Sequence, residues 1–123
     1  MIITKKQITS LSRLKVDQFT SECISFIEME YPDWCHAKEK ADLEKFVIRV
    51  IDFGMRHNVK AEMNVQKLMI YAIEFNTDFM NIKHLVKLLD QPEKTEEFRL
   101  EDLYLDLLSG IHRLTPITLS TQI

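Results

Sequence analysis

The sequence predicts an all-α protein, a compact bundle of about five helices in a single domain. Three observations carry that reading. The 123 residues are 46% hydrophobic, enough for a real core. They include only two Gly and three Pro, too few for a sandwich or barrel that turns every few residues. Apolar residues recur at three- and four-residue spacing through most of the chain, the period of a helix with one buried face.

The first helix is expected to start at Thr4, where Thr4 and Gln7 have the form of a capping box. Ile8, Leu11, Val16, Phe19, Cys23, Phe26 and Ile27 then make one apolar stripe. Pro32 disfavours helical backbone at Tyr31, so this helix should end near Met29 or Glu30. The polar stretch "DWCHAKEKAD" connects it to a second helix, with room for one short helical turn.

In the second helix Leu43, Phe46, Val47, Val50 and Ile51 share a face with Gly54 on its edge. Gly inside a helix costs about 1 kcal/mol relative to Ala, and the expected return is close approach of another helix. Asn58 then closes the helix in left-handed backbone. The third helix runs from about Ala61 to Phe75, with Val65, Leu68, Met69, Ala72 and Ile73 facing inward.

Asn76–Asp78 makes a turn, and a shorter helix follows from Ile82 to Leu89, closed by Pro92. Thr95 caps the fifth helix, with Glu96 and Glu97 in its first turn, where acids suit the helix dipole. Phe98, Leu103, Leu107, Leu108 and Ile111 supply its apolar face, and Pro116 stops it. Residues 1–114 are thus expected to form the helical domain and residues 115–123 a flexible tail.

Composition narrows function by exclusion. The formal charge is −3, so the basic footprint of nucleic-acid binding is missing. No apolar run reaches the roughly 18 residues of a membrane span. The opening "MIITKKQITSLSR" lacks the long apolar stretch and small-residue cleavage site of a signal peptide. The default compartment is the cytoplasm, where Cys23 and Cys35 are expected to stay reduced.

Chemistry-bearing motifs are sparse. His36, His57, His84 and His112 are scattered, with no CxxC or HExxH spacing, so neither a metal nor a cofactor is expected. Cys35-His36 are neighbours, but adjacency alone does not orient a nucleophile and its base. With no Gly-rich phosphate loop and no GxSxG, no catalytic residue is assigned and the protein is read as a non-enzyme. Met55, Met63, Met69 and Met80 are expected to fill core.

The corner between the second and third helices has the outline of a helix–turn–helix. Asn64, Gln66 and Lys67 could face bases, beside Glu62 and Glu74. A small DNA-binding regulator is therefore the alternative reading.

Charge distribution says more. From Asp90 to Asp106 there are seven acids against Lys94 and Arg99, whereas Lys38–Lys67 carries seven Lys/Arg and five acids. An acidic fifth helix can steer a basic partner. Glu97, Glu101 and Asp102 lie near one flank of it and are the candidate partner-binding residues.

The stretch "FVIRVIDFGMRHNVKAEMNVQKLMIYAIEFNTDF" resembles the centre of a family of small bacterial proteins encoded beside type VI secretion genes, near spike, PAAR and toxic effector genes. The resemblance rests on Arg49, "RHNV" at Arg56–Val59, Glu62, Val65 and "NTDF" at Asn76–Phe79. The opening "MIITKKQITSL" and "FIEMEYPDWC" also resemble the family's start. Asn58 and Asn76 stand where relatives carry turn glycines, and Lys60 stands where a capping Ser or Thr would be. The resemblance implies a protein partner, a type VI secretion effector or a spike/PAAR component. It leaves open whether this chain is an adaptor or chaperone for that partner or an immunity protein against it.

Overall fold

Pro32 sets the first boundary. In the computed structural model α1 (Lys5–Glu30) stops two residues before it, and Pro32 occupies the first position of α2 (Pro32–Cys35), where its missing N–H costs nothing. Then follow α3 (Lys40–Arg56), α4 (Glu62–Glu74), a 3-10 turn (Phe79–Asn81), α5 (Lys83–Leu89) and α6 (Glu96–Leu114). The structure describes residues 5–114, with side chains from residue 15 to residue 110. The expected Thr4 cap, the Pro116 stop and the 115–123 tail lie outside the described residues. So do the side chains of Gln7, Ile8, Leu11, Ile111 and His112.

The described residues are helical with no strand, as the spacing predicts. The four long helices and the shorter α5 fall where expected, and the short turn in the first connection is α2. None of the described helices is long and apolar enough to cross a membrane. The chain divides within α3 into two compact units, Met1–Arg49 and Val50–Ile123.

In the first unit Phe19, Cys23, Ile24 and Ile27 of α1 and Leu43 and Val47 of α3 are buried. Phe26, expected with them, is only half-buried and meets the edge of Tyr31 at 6.5 Å. Trp34 of α2 packs on Phe46 at 5.1 Å, and the Lys38 ammonium sits 4.0 Å above the Trp34 ring. Helix α3 opens with Asp42 accepting from the Glu39 amide at 3.1 Å, half of a capping box. No disulfide joins Cys23 and Cys35.

The second unit is built around the corner after α3. Asn58 has φ 58°, and the Val59 amide donates to Gly54 O at 2.7 Å while the Asn58 amide donates to Met55 O at 3.4 Å. This pair of bonds is a Schellman closure, with Asn58 in the left-handed position. Asn76 plays the same part after α4, at φ 46° with its amide on Ile73 O at 3.2 Å. Both asparagines hold the left-handed position that glycine most often takes at a helix end, because Asn tolerates that backbone better than most side chains.

Gly54 has a different reason from the expected one. A Cβ there would lie 2.8 Å from Val59 O, closer than to Val65 Cγ2 (3.5 Å) or Leu68 Cδ1 (3.8 Å) of α4. The returning backbone of its own corner comes nearest, and the neighbouring helix second.

Two other expectations are corrected. Phe98, expected on the apolar face of α6, is 65% exposed, while Leu100, Leu103 and Leu107 are buried. Five residues along a helix rotate by about 140°, so Phe98 and Leu103 cannot share a face. Of the methionines assigned to the core, Met69 is buried, but Met55 and Met63 are 53% and 70% exposed.

Candidate protein-docking face on α6

Helix α6 starts from Thr95, whose Oγ1 accepts from the Phe98 amide at 3.2 Å. This is the expected N-cap. It fixes the phase of the helix, and the phase sorts the acids of the Asp90–Asp106 stretch into separate tasks.

Glu96 turns inward. Its Oε1 accepts from the amides of Lys60 and Ala61, both at 3.2 Å, and from Asn64 Nδ2 at 3.0 Å. Ala61 is the N-cap of α4 and has no side-chain cap of its own. The N-cap of α4 thus falls at Ala61 rather than at Lys60, and a carboxylate from another helix accepts from both amides at this end. Burial pushes the Glu96 carboxyl up, but the bonds from Asn64, Ala61 and Lys60 and the charge of Arg99 outweigh it. The net result lies below the ordinary carboxylate value.

Arg99 is the second inward residue, and it is buried. Its Nη1 donates to His57 O at 2.9 Å and Leu89 O at 2.7 Å, and its Nη2 to Asn58 O at 3.0 Å. One guanidinium thereby closes the C-terminal ends of α3 and α5, where exposed carbonyls and the helix dipole both favour a cation. Nearby, His57 Nδ1 and Asp90 Oδ1 are 2.7 Å apart.

Of the three predicted partner-binding residues, the structure keeps two open. Glu97 and Glu101 are exposed on α6, and among the described residues neither is in an ion pair. Glu97 Oε1 is 3.5 Å from Asn64 Nδ2, a marginal contact. Asp102 is different. It is half-buried, with Lys94 Nζ at 2.8 Å and Gln91 Nε2 at 3.5 Å. It ties down the loop before α6. Asp106 likewise faces His84 Nε2 at 3.5 Å.

Exposed apolar groups accompany the open acids. Phe98, Glu101 and Leu105 follow at three- and four-residue steps, so they form one stripe. Phe98 and Leu105 are 65% and 53% exposed. Along the α4 side of that stripe, Tyr104 lies tilted on Tyr71 at 5.4 Å and meets Phe75 at 5.8 Å. Glu101 stands three residues before Tyr104 on α6, one turn away on the same side of the helix, and the Tyr71 hydroxyl is held above its ordinary value, first by burial and then by the charge of Glu101 and by Tyr104.

Asn64, a candidate base reader, is buried with its amide on Glu96 and Glu97. The Cys35 thiol is pushed up, by burial first and then by Glu28, against the lowering effect of Lys38. That is the opposite of nucleophile activation. Among the described residues no cluster of three His, Cys, Asp or Glu could hold a metal ion.

Comparison with known protein families, curated proteins and solved structures finds no match to this chain.

Proposed function

We propose that this chain is a non-enzymatic, cytoplasmic binding partner of a type VI secretion effector or of the spike/PAAR component that carries one. It would act either as an adaptor or chaperone that loads the toxin or as an immunity protein that neutralises it. The family resemblance of the Phe46–Phe79 segment motivates the choice of partner. The observation that carries the binding reading is the outer stripe of α6, where Phe98 and Leu105 stand exposed around Glu101. Apolar side chains held out of the core and rimmed by charge suit a protein interface.

The test is co-purification with the products of the neighbouring genes. Tight binding that rescues growth when the toxin is expressed supports immunity. Binding without rescue, joined to lost secretion in a deletion strain, supports an adaptor. Binding of duplex DNA with no protein partner overturns the reading in favour of a regulator.

A further inference from the structure

Resting on the protein-binding reading above, we propose that the α4–α6 edge is an arginine-recognition surface. It takes an arginine-bearing, partly apolar segment of the partner, with the guanidinium against the Tyr71–Tyr104 rings and the Glu101 carboxylate.

Two independent features select this ligand chemistry. The first is charge. Within α6 the other acids have neighbours of their own, Asp102 paired with Lys94 at 2.8 Å and Asp106 facing the His84 ring at 3.5 Å. Glu97 and Glu101, on the exposed stripe, are held in no ion pair among the described residues. The open charge of the helix is therefore concentrated where the apolar side chains are also open. A second copy of this chain presenting the same face would bring carboxylate against carboxylate, so the complementary occupant is basic.

The second feature is the ring platform. Tyr104, 36% exposed, lies on Tyr71 at 5.4 Å with an interplanar angle of 34°, and Phe75 meets Tyr104 edge-on at 5.8 Å. The rings brace one another, so the exposed part of Tyr104 is held in position before any partner arrives. A guanidinium is planar, weakly hydrated and able to stack on such a ring while donating to a neighbouring carboxylate. An ammonium is a compact, strongly hydrated charge that exploits the ring less well. Acid beside ring selects arginine over lysine, whereas acid alone would accept either. Phe98 and Leu105, on either side of Glu101 along the stripe, provide apolar surface for residues flanking the arginine.

The probes are N-acetyl-arginine amide and N-acetyl-lysine amide, each titrated into the full chain while backbone amide shifts are followed by NMR. The arginine probe should give saturable shifts centred on Tyr71, Glu101 and Tyr104, with several-fold weaker binding of the lysine probe. Glu101→Gln should weaken both probes, and Tyr104→Ala should abolish the preference for arginine. Each variant should keep the helical circular dichroism of the parent. Equal response to the two probes, no localised response, or an unchanged preference in Tyr104→Ala overturns the proposal. A neighbouring effector that binds the parent and both variants equally also overturns it while leaving the protein-binding reading intact. Arginine binding at this edge with no protein partner found would do the reverse.

Discussion

Arg99 donates to the carbonyl of His57 at 2.9 Å, across 42 residues of sequence, and so closes from α6 the helix end that the α3 corner leaves open. The same guanidinium reaches Asn58 O and Leu89 O. Arg99→Met keeps the volume of the stem but leaves three carbonyls without this donor. Bonds to a charged group contribute about 1.5–3 kcal/mol each and are not additive, so a loss of about 3 kcal/mol is expected in urea denaturation. Arg99→Lys should recover only part of it, because one ammonium cannot reproduce the fork. A variant as stable as the parent would show that the corner closes without α6.

Glu96 makes stability depend on pH. Its carboxyl lies below the ordinary value in the folded protein. The stabilisation is therefore fully present above the unfolded-state value and is lost as pH falls through the folded one. Melting temperature should decline on acidification below the ordinary carboxylate range, and Glu96→Gln should decline less steeply there while being less stable at neutral pH. Parallel acid limbs for parent and variant would contradict the capping role.

Gly54→Ala tests the corner at its tightest point. The added Cβ would meet Val59 O at 2.8 Å, a backbone atom that cannot swing aside. A loss of about 1–3 kcal/mol is expected from such overpacking. Met55→Ala, one residue along on an exposed position, should change stability by under about 0.5 kcal/mol. Equal effects at the two positions would contradict the geometry.

Local signals were readable from the residues, and long-range ones were not. Pro32, Asn58, Asn76 and Thr95 act on backbone within a few residues, and the helix ends they imply are where the structure has them. Phe98 misled because its hydrophobicity fits a core, while its helical phase relative to Leu100, Leu103 and Leu107 turns it outward. Glu96 was legible as a first-turn acid of α6, but its larger task as the cap of α4 depends on how two helices meet. Arg99 carries a fainter signal, a cation set among acids and directly before the apolar Leu100. Within the candidate face, Glu97 and Glu101 stand out by charge and spacing in the sequence alone, and both are exposed. The pairing of Asp102 with Lys94 and the rings of Tyr71 and Tyr104 required the fold.

The central claim is that the outer stripe of α6 docks a basic protein partner. The most direct measurement is the association rate constant with the neighbouring effector at low and high salt, for the parent and for Glu97→Lys/Glu101→Lys. The double variant should associate more slowly and lose salt dependence, since steering by exposed charge is screened by ions. Its melting temperature should stay close to that of the parent. Asp102→Lys should instead lower stability, by breaking the Lys94 contact. Unchanged association kinetics in Glu97→Lys/Glu101→Lys, with the effector still bound, would contradict the claim and place the interface elsewhere.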